Sequence, residues 1–81
     1  MQVRLFARYR ELAGTGSLSL NVPDNSTALD VFDRVAERYP DMQAMRGSTL
    51  MAVEAEYVKP DTELRDGEEL ALMPPVSGGS C

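Results

Sequence analysis

The segment from Thr27 to Pro40 constrains the fold most strongly, because it has the pattern of one amphipathic helix. Its apolar residues recur every three or four positions, as on one face of a helix, and charged residues fill the other face. Thr27 and Asp30 have the spacing of a helix N-cap and its return partner, and Pro40 predicts the end of the helix. The predicted apolar face consists of Ala28, Leu29, Val31, Phe32, Val35, Ala36 and Tyr39. The rest of the chain must supply the surface that this face covers.

Two segments before this helix have the alternation of strands. Residues 2–8 alternate Val3, Leu5 and Ala7 with polar residues, apart from Phe6, and residues 17–22 alternate in the same way. Between them, YRELAGTG predicts a short helical turn that ends at the glycines. We therefore expect two strands that pair as a hairpin with a long connection.

Three short segments after the helix also predict strands. LMAV and EYV flank Glu54 and Ala55 as in a tight hairpin, although these two residues tolerate a positive φ poorly. In ELALM the two leucines face one way and the two other apolar residues the opposite way, and two prolines end the strand. This order predicts an α+β fold of the β-grasp, or ubiquitin-like, type. We expect a mixed sheet of four to five strands crossed by one main helix, over residues 1–75, with a flexible tail at 76–81.

Composition argues against most enzyme classes. With 81 residues the chain can build one small core, it has no histidine, and its single cysteine is residue 81. A neutral-pH base, the commonest metal ligands and an internal disulfide are therefore missing, which favours a binding or carrier role. The N-terminus interrupts its apolar residues with arginines, unlike a signal peptide, so we expect a reduced cytoplasmic setting.

Negative charge is concentrated in the second half of the chain. Residues 41–81 hold three bases and eight acids, and seven of those acids lie between Glu54 and Glu69. This density would repel nucleic acid and anionic lipid, and it would attract a basic protein partner. A solvated acidic face that keeps a small protein in solution explains the pattern equally well.

Three segments resemble the ubiquitin-like sulfur carriers, and within that family the small subunits of molybdopterin synthase. They are LFARYRELAG at 5–14, AVEAEYV and DTELRDGEELAL within 52–72, and PPVSGG at 74–79. The similarity spans the whole chain, and Gly-Gly directly after PPVS is its most specific feature. It implies a role in molybdenum cofactor biosynthesis.

The resemblance also implies a chemistry for the C-terminus. In that family a ubiquitin-activating-like adenylyltransferase uses ATP to adenylate the terminal glycine, a sulfur-transferase converts it to a thiocarboxylate, and the large subunit of the synthase accepts the tail. The sulfur-carrying terminus here would be Gly78 and Gly79, whose lack of a Cβ keeps the tail narrow. The chain itself would bind no cofactor and catalyse nothing, within an expected heterotetramer. Ser80 and Cys81 follow Gly79, so a protease would have to remove them.

A partner-binding surface is expected at the root of the tail. It would comprise the apolar residues Tyr57, Met73, Pro74, Pro75 and Val76, with acids nearby. The alternative is that Met73 only covers the far side of the sheet and Tyr57 packs in the core.

Two other functions stay open. The same chemistry at Gly79 would serve a sulfur carrier for tRNA thiolation, thiazole synthesis or cysteine synthesis, or a modifier joined to protein lysines. The chain could instead be a ubiquitin-like interaction module that is never activated, which the presence of Ser80 and Cys81 supports. Cys81 could also act simply as an exposed thiol.

Overall fold

The computed structural model describes residues 1–65 and 67–74. Along them the elements are β1 (Gln2–Leu5), α1 (Ala7–Ala13), β2 (Ser17–Ser19), α2 (Ala28–Arg38), a 3₁₀ helix (Pro40–Ser48), β3 (Leu50–Val53), β4 (Glu56–Val58) and β5 (Glu69–Met73). The five strands form one sheet in the order β2-β1-β5-β3-β4. The first and last strands, β1 and β5, thus lie together at the centre of a mixed sheet, as expected for the predicted β-grasp fold.

The central strands β1 and β5 supply the floor of the core. They run parallel, with Val3 opposite Leu70 and Leu5 opposite Leu72, and all other strand pairs are antiparallel. These four side chains are buried against α2. Each contributes about 1.5–3 kcal/mol by leaving water, so the alternating pattern of β1 and β5 fixes which face of the sheet the helix covers.

Helix α2 begins and ends where its pattern predicts. The Thr27 hydroxyl accepts from the Asp30 N–H at 3.1 Å, and the Asp30 carboxylate accepts from the Thr27 N–H at 3.0 Å, which forms a complete capping box. The last helical residue is Arg38, directly before Tyr39 and Pro40. Five residues of the predicted apolar face are buried, and Leu29 and Tyr39 pack against the core at its edge.

The first strand is shorter than predicted. It ends at Leu5 rather than continuing to residue 8, because Phe6 is the N-cap of α1 and Ala7 has a φ of 51°. The turn into α1 brings Tyr9 into the core beside Phe32, with ring centroids 6.0 Å apart. The predicted helical turn is therefore a helix of seven residues that closes one end of the core.

The second strand is also shorter than the predicted 17–22, since β2 ends at Ser19. The chain nevertheless stays beside β1 for one more residue, because the Leu20 N–H donates to the Met1 carbonyl at 2.9 Å. Where no regular element was predicted, residues 40–48 form a 3₁₀ helix that Arg46 ties to α2 through both oxygens of Asp33.

The turn between β3 and β4 adopts the geometry that its residues tolerate poorly. Glu54 has a φ of 49° and Ala55 a φ of 70°, as in the two-residue turns that favour Asn-Gly. Hydrogen bonds to β5 hold the strained turn: the Glu54 carboxylate accepts from the Glu69 N–H at 3.0 Å, and the Glu54 N–H donates to the Glu69 carbonyl at 3.3 Å. The glutamate side chain therefore attaches this hairpin to the central sheet.

Candidate functional site

The face of the sheet turned away from α2 carries the large exposed apolar side chains of residues 1–65 and 67–74, and we call it the outer face. At one end of this face Leu50 lies opposite Met73, the last residue of β5. Phe6 lies beside them, because its N–H donates to the Leu72 carbonyl at 3.3 Å and so continues the β1–β5 register by one residue. Three large apolar side chains from three strand ends therefore share one edge.

The next row of the outer face crosses four strands. Arg4 lies opposite Ala71, Ala71 opposite Ala52, and Ala52 opposite Tyr57. Because the two alanines are small, the Tyr57 side chain is 72% exposed at the side of the row. Phe6, Leu50, Tyr57, Ala71 and Met73 together form what we call the outer patch.

The opposite end of the outer face is polar and acidic. Gln2 lies opposite Glu69, and the Glu54 carboxylate reaches the Glu69 backbone from the hairpin. The outer face thus changes along the strand direction from apolar, at the end of β5, to acidic, at its start. A partner that covers this face needs apolar residues at the end of β5 and basic residues beside Glu54, at the β3–β4 hairpin.

Only part of the predicted partner-binding surface falls on described residues. Tyr57 is largely exposed, and Met73 and Pro74 are half-buried at the end of β5. The alternative that Tyr57 packs in the core is wrong. Pro75 and Val76 lie outside the described residues, as do the glycines predicted to carry sulfur and the two residues after them.

Two large side chains of the outer patch were missed by the sequence reasoning. Phe6 is 40% exposed and Leu50 is 39% exposed, although both are large and apolar. Phe6 had a signal, because it is the one residue that breaks the alternation of the first strand. Leu50 had none, since the faces of LMAV could not be assigned before its neighbours were known.

A shallow cavity of about 410 Å³ beside the loop between β2 and α2 is lined by one carboxylate, Asp24, and one guanidinium, Arg65, without a paired nucleophile and base. Within residues 1–65 and 67–74, no three His, Cys, Asp or Glu side chains are grouped as metal ligands. None of the described helices is long and apolar enough to cross a membrane.

Burial changes the titration of one internal group. The Tyr9 ring is fully buried and its hydroxyl hydrogen-bonds to Thr49, which in turn donates to the Met45 carbonyl at 2.8 Å. Desolvation raises the pKa of the Tyr9 hydroxyl above its ordinary value, while the bond to Thr49 partly opposes the shift. The neutral hydroxyl therefore joins α1 to the 3₁₀ helix and takes no part in the outer face.

Comparison with known proteins gives consistent results. The family model of the ThiS family matches residues 3–79. The molybdopterin synthase sulfur carrier subunit of Arabidopsis thaliana is 35% identical, over 98% of this chain and 82% of the relative. The human molybdopterin synthase sulfur carrier subunit is 33% identical, over 98% of this chain and 93% of the relative.

A solved structure shares the fold at similar coverage. Small archaeal modifier protein 1 from Methanosarcina acetivorans superimposes with a TM-score of 0.80 at 28% identity, over 96% of this chain and 94% of that chain. Its likeness, with the sheet order and the crossing helix, confirms the predicted β-grasp fold. The chain belongs to the ThiS family, as a ubiquitin-like relative of the sulfur carrier subunits of molybdopterin synthase.

Proposed function

We propose that this chain carries sulfur for molybdopterin synthase as a thiocarboxylate on Gly79. The observation that carries the proposal is the position of the outer patch: it lies at the end of β5, five residues before the Gly-Gly pair, in a chain whose relatives are sulfur carrier subunits of that synthase. A docking surface next to the tail is what a carrier needs if its tail is to reach into another protein. The outer patch would bind the large subunit of the synthase, within a heterotetramer.

The chemistry needs activation by another protein. A carboxylate resists attack because oxide would have to leave, so the Gly79 carboxylate first attacks the α-phosphate of ATP, and pyrophosphate leaves. Hydrosulfide delivered by a sulfur-transferase then attacks the acyl carbon of the adenylate, AMP leaves, and the thiocarboxylate is formed. This chain would supply only the terminal group, on which its partners act. The adenylyltransferase would supply the nucleotide site.

The outer patch would supply the energy that the tail cannot. From residue 75 to residue 79 a fully extended chain spans at most about 17 Å, enough to enter a buried site of a partner. Ordering these five residues costs about 5–10 kcal/mol at about 1–2 kcal/mol each. Burying Phe6, Leu50, Tyr57 and Met73 on the partner offsets that cost, and the preformed sheet adds no further ordering of backbone.

Ser80 and Cys81 require a processing step before this chemistry. While any residue follows Gly79, its carbonyl is part of a peptide bond, so there is no Gly79 carboxylate to be adenylated. We therefore propose that a protease cuts the chain after Gly79. The cytoplasm, where the thiol and thiocarboxylate would stay reduced, remains the predicted setting.

Intact mass measurement of the protein from its own cells tests the proposal. We expect a species that ends at Gly79 with one oxygen replaced by sulfur, and co-purification with a molybdopterin synthase large subunit. A chain that keeps Ser80 and Cys81 while the cells make the cofactor would contradict the proposal.

The likeness to small archaeal modifier protein 1 supports a second candidate, a modifier joined to other proteins. Activation of Gly79 would be the same, but the acyl group would pass to a lysine amine. Lysine-linked Gly78-Gly79 remnants on other proteins, found by peptide mass spectrometry, would favour this function. Their absence together with the thiocarboxylate would favour the sulfur carrier alone.

A further inference from the structure

A basic cleft of about 370 Å³ adjoins the outer patch on the β1 side. Arg4 from β1 and Arg10 from α1 line it, and Phe6 forms the wall that it shares with the outer patch. Gly16 and Ser17, at the start of β2, form the far side. Glu69 of β5 completes the lining, so the cleft is built by four elements, β1, α1, β2 and β5.

The two arginines are placed differently but point their charge into the same space. The Arg10 side chain lies over Gly16, whose missing Cβ would sit 3.6 Å from Nε. The Arg4 guanidinium stands 5.7 Å from the centre of the Phe6 ring, with a guanidinium nitrogen 3.9 Å from a Glu69 oxygen, the outer limit of an ion pair. Both arginine side chains are exposed, and both line the same space.

The positive charge of the cleft is poorly compensated within the described residues. There, Arg46 binds Asp33 at 2.8 Å and Arg8 lies 3.7 Å from Glu11, but no carboxylate lies within 4.0 Å of Arg10. The one acid that lines the cleft is Glu69, already shared with Arg4. The cleft has room and charge for one more carboxylate.

We infer that this cleft receives an aspartate or glutamate side chain of the protein that covers the outer patch. The inference rests on the proposed function for the identity of that protein, the large subunit of molybdopterin synthase. Phe6 belongs to both surfaces, so a partner seated on the outer patch also reaches the cleft. Once that partner excludes water, the attraction between carboxylate and guanidinium strengthens several-fold over its value in bulk solvent.

Free anions fit the cleft less well than a partner side chain. Both arginines are exposed, where an ion pair in water contributes almost nothing, and Glu69 repels a doubly charged phosphate more than a single carboxylate. The cleft therefore becomes effective only when apolar contacts bring the acid to it.

The cleft also sets the orientation of the partner. The arginines lie on the β1 and α1 side of the outer face, whereas Glu54 lies at the β3–β4 hairpin on the other side. A partner turned by half a turn would place its acid near Glu54 and its basic residues near Arg4 and Arg10. Like charges would then meet at both ends, so the cleft selects the orientation that aligns the tail with its binding site.

Replacing each cleft arginine by neutral glutamine tests the inference, with the same replacement of an arginine outside the cleft as the control. Arg10→Gln and Arg4→Gln are compared with Arg34→Gln, an exposed arginine on the far side of α2, by calorimetric titration with the large subunit. We expect Kd to rise about three- to tenfold for the cleft variants and to stay unchanged for Arg34→Gln. The difference should shrink between about 50 mM and about 300 mM NaCl. Equal affinities for all three variants and the wild type would overturn the inference.

A second variant fills the cleft without removing an arginine. Ser17 lies opposite Arg4 on the outer face, so Ser17→Asp places an internal carboxylate beside the guanidinium. We expect unchanged or slightly higher thermal stability together with the same loss of affinity, a combination that damage to the fold cannot produce. Unchanged affinity of Ser17→Asp would count against an acidic occupant.

Two further outcomes separate the possible failures. Binding of inorganic phosphate to the free wild-type protein at micromolar concentration, together with loss of that binding in the Arg10→Gln variant, would identify a small-anion site. That result would overturn the inference. If wild-type protein with a free Gly79 terminus does not bind the large subunit at all, the proposed function fails, and the inference fails with it.

Discussion

Met73 of β5 lies directly opposite Leu50 of β3 on the outer face, one residue before Pro74. Directly opposite residues on one face of an antiparallel pair have Cβ atoms about 4.5–5.5 Å apart, so the two side chains form one apolar surface. Since β5 is the last strand in the described part of the chain, this surface is fixed to the sheet at the point where the sequence continues toward Gly78 and Gly79. The strand pairing thereby connects the proposed docking surface with the proposed sulfur-carrying end.

Leu50→Gln is expected to weaken docking while the fold stays intact. The side chain is 39% exposed, so its replacement should change the free energy of unfolding by less than about 1 kcal/mol. Loss of an apolar contact beside Met73 should raise the Kd for the large subunit about tenfold, as measured by calorimetry. Leu72→Ala, on the buried face of β5, should instead cost about 2–5 kcal/mol of stability. An unchanged Kd for Leu50→Gln would exclude this edge from the interface.

The site was predictable only where a residue reveals its face by itself. Met73 did so, because ELALM alternates and its leucines had to be core. Leu50 did not, since LMAV is apolar throughout and its outer face is defined by pairing with β5. The basic cleft could not be predicted from the sequence for the same reason. Arg4, Arg10 and Gly16 are brought together by the β1–β2 pairing and by the packing of the short helix α1, which depend on tertiary structure.

Replacing Ala55 by glycine is expected to stabilise the protein. Ala55 has a φ of 70° in the β3–β4 turn, a conformation that glycine adopts without the steric cost of a Cβ. Glycine also increases the conformational entropy of the unfolded chain, which reduces this benefit. We expect the free energy of unfolding, measured by urea denaturation, to rise by about 0.5–1 kcal/mol.

Gly14→Ala provides the mirror control for Ala55→Gly. Gly14 has a φ of 75° at the end of α1, and an added Cβ would meet no atom within 4 Å, so only backbone strain would change. A loss of about 1 kcal/mol is expected. If both substitutions left the denaturation midpoint unmoved, strain at positive φ would not contribute measurably to the stability of this fold.

Gly79→Ala is expected to block sulfur transfer without altering the folded domain. The added methyl group widens the end of the tail where it must enter a partner's active site. In the unbound protein, alanine only reduces the conformational entropy of the tail, so the folded domain should be unaffected. Formation of the thiocarboxylate, followed by intact mass, should fall by at least about tenfold, or about 1.4 kcal/mol in the activation barrier. Ser77→Ala, two residues earlier, is the control and should carry sulfur normally. Normal sulfur transfer by the Gly79→Ala variant would contradict the proposal that the tail must be narrow at Gly79 to enter a partner's active site.

Local patterns predicted the elements of the fold better than their ends. The capping box of Thr27 and Asp30 and the stop before Pro40 are both encoded within a few residues, so the bounds of α2 followed from sequence. The end of β1 did not, because Ala7 continues the strand alternation yet begins α1. That choice is made by Tyr9, whose ring fills the core beside Phe32 only if the chain turns at Phe6.

Tyr9 is expected to make stability depend on alkaline pH. Burial raises its pKa in the folded protein, so the folded state holds the hydroxyl proton more tightly than the unfolded state, whose pKa is about 10. The stabilising contribution is therefore fully present below about pH 10 and is lost as the pH rises through the folded-state pKa. Tyr9→Phe removes the bond to Thr49 and should cost about 0.5–1.5 kcal/mol at neutral pH. The difference in free energy of unfolding between wild type and Tyr9→Phe should then shrink above about pH 10. A difference that stays constant across this range would show that the Tyr9 hydroxyl titrates alike in both states.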